Sequence, residues 1–143
     1  MHWLITVLVA LLLTAPMQAA SIEARLIRAT NKADDSQPTD AALKDIAPKL
    51  KKRFGFEHYH QLGSQRQPLD QKSTSRLDLG EGFVVFVTPK SVEKTAHELE
   101  VEWWSGRASL VKTVVKISEK CSVLIKGPEV GEDWIILALT VQE

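Results

Sequence analysis

The chain has 143 residues, 44% of them hydrophobic, with 18 basic and 18 acidic side chains and four histidines. That composition belongs to a globular domain able to bury a core rather than to a disordered tail. The even charge offers no basic excess for neutralising phosphates, which excludes nucleic acid as a partner.

In chain order, Leu4 to Leu13 form an apolar run interrupted only by Thr6, and Pro16, Gln18, Ala19 and Ala20 follow. This is the order of the h-region and small-residue cleavage region of a secretory signal peptide. The run ends at Met17, short of the roughly 20 apolar residues that span a membrane. Residues 1–20 therefore read as a signal peptide and residues 21–143 as one mature domain. The domain is expected in the periplasm or secreted, with no permanent membrane span after cleavage.

Ile22 to Ala29 mixes apolar and charged residues as a half-buried strand does, and it ends at Asn31. The polar stretch Lys32 to Asp40 places Thr39 or Asp40 where a helix N-cap belongs. Leu43, Ile46, Ala47, Leu50 and Phe54 then share one helix face, while Pro48 predicts a kink or a break into two short turns and Gly55 a C-cap. Lys49, Lys51, Lys52 and Arg53 suit the partial negative charge at that helix end.

Strands are predicted near Phe56 to Leu62, Ser75 to Leu79, Phe83 to Thr88, His97 to Trp104, Ala108 to Ser118, Ser122 to Lys126 and Trp134 to Val141. Gly80-Glu81-Gly82, Pro89, Ser105-Gly106-Arg107 and Gly127-Pro128 mark the turns between them, and the polar stretch Ser64 to Arg76 reads as a long hairpin loop. A three-residue turn at Ser105 to Arg107 would set Glu100 opposite Lys112 and Val101 opposite Val111. Phe83 to Val87 and Ile135 to Leu139 are apolar at every position, which predicts strands covered on both faces. The expected fold class is α+β: one amphipathic helix packed on a mostly antiparallel β-sheet or small β-sandwich.

Few residues suggest chemistry. His58 and His60, two apart on a strand, project to one face and form a candidate metal pair, with His97 as a third ligand. Solvated polar side chains are the plainer reading. Cys121 is the only cysteine and cannot pair within its chain, so packing must stabilise the domain, and the thiol itself is expected to be buried. Trp103 continues the apolar face of Leu99 and Val101, leaving Trp104 on the opposite face as a candidate ligand-binding aromatic. No Gly-x-Ser-x-Gly or His-Glu-x-x-His motif is present. No catalytic residue and no cofactor are assigned.

The run Ile22-Glu23-Ala24-Arg25-Leu26-Ile27-Arg28-Ala29-Thr30-Asn31, with Leu43-Lys44-Asp45-Ile46, Leu50-Lys51, Phe54, Tyr59 and Leu62 downstream, resembles a group of uncharacterised exported bacterial proteins. The resemblance implies a bacterial envelope location and carries no functional residue. The functional expectation is a non-enzymatic binding or assembly module, its partner an envelope protein or peptide. Metal binding through His58 and His60 and carbohydrate binding through Trp104 are the alternatives.

Overall fold

The computed structural model describes residues 20–32, 39–70, 73–93 and 96–142. The segment read as a signal peptide lies outside them, apart from Ala20. Eight strands follow one another: β1 (Ser21–Thr30), β2 (His58–Pro68), β3 (Ser75–Gly80), β4 (Phe83–Glu93), β5 (Ala96–Ser105), β6 (Ala108–Ser118), β7 (Ser122–Val130) and β8 (Asp133–Gln142). Between β1 and β2 the chain forms a 3₁₀ turn at Ala41–Leu43 and the helix α1 at Ala47–Phe54.

The strands form two four-stranded antiparallel sheets, ordered β2-β1-β8-β7 and β3-β4-β5-β6. Each strand lies beside its neighbours in sequence, because β2 also packs next to β3 and β6 next to β7, while β1 and β8 pair along their length. The chain is thus a meander closed on itself and flattened into a sandwich.

Alternation along β1 divides two cores. Ile22, Ala24 and Leu26 face the second sheet and meet Val85, Val87, Leu99, Val101 and Trp103, all fully buried. Ile27 and Ala29 face the other way, where Leu43, Ile46 and Leu50 of the helical segment cover the first sheet together with Tyr59. Arg25 shares that outer side and is 5% exposed. Its Nη1 and Nη2 donate to the two carboxylate oxygens of Asp45 at 2.8 and 3.0 Å, pinning the helical segment to the strand.

This is a β-sandwich and not the α+β arrangement expected from the sequence. The helical periodicity through Phe54 overstated the helix, because Pro48 occupies its first turn and Gly55, in the left-handed region, caps it after eight residues. The segment divides into two short pieces, but the division falls at residues 44–46, ahead of Pro48, which lies in the first turn of α1; the second sheet, rather than a helix, supplies the opposite wall of the main core. The expected Ser64 to Arg76 loop is also shorter: β2 runs on to Pro68 and β3 begins at Ser75. Polar residues extend β2 because it is an edge strand with one face in water. Gly127-Pro128 is a bulge inside β7 rather than a turn, tolerated because β7 is an edge that lacks a second ladder for Pro128 to break.

The β5–β6 hairpin differs in register. Glu102 stands opposite Lys112 and Trp103 opposite Val111, because the strands continue to Ser105 and Ala108 and a bulge follows Trp103. A shift of two residues leaves every side chain on its expected face, but it changes the partners: Glu98 meets Lys116 and Glu100 meets Val114.

Candidate functional site

The two sheets differ on their outer faces. The helical segment covers the first sheet, whereas nothing among the described residues is layered over the second. Ile135 to Leu139 therefore have both faces covered as expected, but Phe83 to Val87 do not: Phe83, Val85 and Val87 are buried while Val84 and Phe86 lie half-buried on the open face.

On that face the register produces cross-strand rows. One runs Asp78, Val84, Trp104, Ser109, and the next runs Arg76, Phe86, Glu102, Lys112. In the third, Thr88 adjoins Glu100 and then Val114, which is 53% exposed. Phe86 and Trp104 are diagonal neighbours, a relation that separates positions by about 7–8 Å, within reach of two aromatic rings. A shallow cleft of about 400 Å³ lies here, lined by Thr74, Phe86, Thr88, Glu100, Glu102 and Trp104. The Thr74 and Thr88 hydroxyls are 2.7 Å apart.

Trp104 thus occupies the face the sequence assigned to it, with Trp103 fully buried on the other. Sequence reasoning missed its neighbours. The uniform apolar run hid Phe86 by suggesting that both faces of β4 were covered. Glu100 and Glu102 alternate with the buried Leu99, Val101 and Trp103, and the outward face they share is also the cleft floor. Lys90 Nζ lies 2.9 Å from Glu100 Oε2, and its hydrogen bond and charge hold the Glu100 carboxyl below the usual range while raising Lys90. A glycosidase acid needs the opposite shift, so Glu100 is set to accept hydrogen bonds and not to donate a proton.

The histidines are divided between the sheets. His58 and His60 lie on β2, in register with Thr30 and Arg28 of β1. His60 Nδ1 is 3.2 Å from Asp40 Oδ1. His97 is on β5 in the other sheet, 3% exposed, with both ring nitrogens buried and without hydrogen-bond partners. Among the described residues no three His, Cys, Asp or Glu side chains are grouped to hold a metal ion. Cys121 is exposed rather than buried. It falls in the turn between β6 and β7, after Lys120 at a φ of 64°, instead of inside the strand beside it.

Asp40 stands at the expected helix start but makes no cap hydrogen bond. Its Oδ2 accepts from the Gln61 amide at 2.8 Å, tying the segment back to β2. Among the described residues no helix is long and apolar enough to cross a membrane.

No family model matches the chain, and no curated protein matches it. Among solved structures it is similar to the type II secretion system secretin XcpQ of Pseudomonas aeruginosa, at 9% identity and a TM-score of 0.35, over 87% of this chain and 55% of that one. The chain thus spans about half the length of the secretin chain, and a likeness at this TM-score supplies no argument about fold or function.

Proposed function

We propose that the protein is an exported, non-enzymatic binding module of the bacterial envelope whose ligand is a carbohydrate held on the open face of the second sheet. The observation that carries this reading is the cleft in which Phe86 and Trp104 lie beside Glu100, Glu102 and Thr88. Aromatic rings pack on the C–H faces of sugar rings, and ionised carboxylates accept hydrogen bonds from neighbouring hydroxyls. The charges around the cleft balance: Arg76, Lys90, Lys112 and Lys116 against Asp78, Glu98, Glu100 and Glu102. A balanced face favours an uncharged, hydroxyl-rich ligand over a polyanion or a basic peptide.

Strand edges, the other route to a partner, are less open. β2 and β7 border seams where β3 and β6 lie alongside. At one seam the backbones touch: a Cβ on Gly63 would stand 2.0 Å from the Leu79 carbonyl oxygen. The face is therefore favoured over an edge as the docking surface.

The test is titration of the purified mature protein with soluble cell-wall glycans while tryptophan emission is followed. A saturable change that disappears in Trp104→Ala and weakens in Phe86→Ala is expected. Absence of any response across the glycan panel sinks the carbohydrate reading. Mass spectrometry of protein from the native cells tests export: an N-terminus near Ser21 is expected, and an intact Met1 contradicts it.

A further inference from the structure

Positive charge gathers on one side of the molecule. Lys44, Lys49, Lys51, Lys52 and Arg53 fall within a short stretch that holds a single carboxylate, Asp45, and all six residues are exposed. The chain as a whole is neutral, so the rest of it is net acidic. The helix end accounts for only part of this cluster. Lys51, Lys52 and Arg53 in the last turn of α1 meet the partial negative charge there. Lys49 sits in the first turn and Lys44 ahead of it, where the partial charge is positive and repels them. Lys49 also stands three and four residues from Lys52 and Arg53, spacings at which like charges destabilise a helix. Nearby carboxylates offer little relief: Asp45 is held by Arg25, Glu129 by Lys126, and Glu23 by Arg25 and Arg66. Glu57, beyond the Gly55 cap, and Glu119, in the β6–β7 turn, border the patch. Among the described residues Lys44, Lys51, Lys52 and Arg53 make no ion pair.

We propose that this basic side docks on the surface of an anionic phospholipid bilayer, with Lys44, Lys51, Lys52 and Arg53 among the headgroups. A cluster of cations on a helix suits such a surface, because each one near the headgroups strengthens attachment by about fivefold. The cations do not converge on one point. Lys49 Nζ turns to the Ser122 carbonyl and lines a cleft beside the β6–β7 turn, while Lys51, Lys52 and Arg53 stand on the exposed surface of α1, which buries Leu50 against the sheet. A discrete phosphate calls for donors aimed at one place, whereas a charged plane calls for a spread of cations. The attachment is electrostatic and peripheral. The helical segment covers the outer face of the first sheet, and the Phe86 and Trp104 cleft lies on the outer face of the second. A molecule docked through α1 therefore turns that cleft away from the lipid. Docking does not depend on what the cleft binds.

The experiment is co-sedimentation of the protein, purified from its native cells, with phosphatidylcholine vesicles that either lack phosphatidylglycerol or contain about one third of it. Saturable attachment to the anionic vesicles alone is expected. It should be lost as salt rises from about 0.1 to about 1 M, over which the Debye length falls from about 10 to about 3 Å. Lys51→Gln and Lys52→Gln should each weaken attachment about fivefold, and about 25-fold together. Both positions are exposed, and an unchanged urea midpoint checks that the variants fold. Arg107→Gln combined with Lys112→Gln removes the same charge from the side of the second sheet and should change attachment by less than about twofold. The proposal is overturned if the protein stays off both kinds of vesicle or sediments equally with both. It is also overturned if the Arg107 and Lys112 pair costs as much as the Lys51 and Lys52 pair, or if soluble polyphosphate is bound and anionic vesicles are not. Each of those results leaves the glycan reading untouched, because its titration uses no lipid.

Discussion

The indole of Trp103 lies against the backbone of Gly127: a Cβ at that glycine would stand 2.2 Å from the ring atom Cη2 and 3.0 Å from the Ile135 carbonyl oxygen. The ring is fully buried between the sheets. Gly127→Ala should therefore destabilise the protein by about 1–3 kcal/mol through overpacking, measured by urea denaturation. A wild-type midpoint in that variant would show that the ring can shift.

Tyr59 joins the helix end to β2. Its hydroxyl donates to the Leu50 carbonyl at 3.0 Å and accepts from the Phe56 amide at 3.1 Å, and burial pushes its pKa up. Tyr59→Phe leaves both backbone groups unpaired in a buried setting, so a loss of about 1–3 kcal/mol is expected. Amide exchange should locate the loosening at Leu50 to Tyr59.

His97 occupies a core position without a hydrogen-bond partner for either nitrogen. Replacing it with Leu removes two unsatisfied polar atoms and keeps the bulk, so the denaturation midpoint should stay level or rise by the equivalent of about 1 kcal/mol. A large loss in His97→Leu would mean that the imidazole makes an interaction the described contacts do not include.

Acid should weaken the fold through Asp45 and Asp133. Arg25 holds the Asp45 carboxyl below 3.8 by hydrogen bond and charge, and the Thr30 side chain, then Arg28, does the same for Asp133. A carboxylate with a lowered folded pKa binds protons less readily than in the unfolded chain. Its stabilisation is therefore complete above the unfolded value and is lost as pH falls through the folded one. Urea midpoints should be flat with respect to these groups from about pH 7 to 5 and drop below about pH 4. Asp45→Asn should reduce that drop and cost about 1 kcal/mol or less at neutral pH, since the Asp45 side chain is 62% exposed and screened.

Strand positions and facing were legible in the sequence because alternation is local: Leu99, Val101 and Trp103 alternate with glutamates and point to the core. Layering was not. Phe83 to Val87 and Ile135 to Leu139 carry the same uniform apolar pattern, yet only the second is covered on both sides, and nothing within either segment records where α1 lies. The candidate site was half legible for the same reason. Trp104 followed from the parity of β5, whereas Phe86 entered only through the pairing of β4 with β5. The ion pair of Arg28 with Asp133 joins residues far apart in sequence, and neither forms a motif with its chain neighbours.

The pairing of β1 with β8 also sets an order on assembly. Ser21 is in register with Gln142, and the ladder continues to Ala29 opposite Trp134. A nascent chain can form hairpins from β2 to β7 as they emerge, but β1, in the middle of its sheet, has its second neighbour only once β8 has been made. Contacts of such long sequence separation slow folding. Until that last strand is made, one side of β1 stays without a ladder and the core between the sheets stays open.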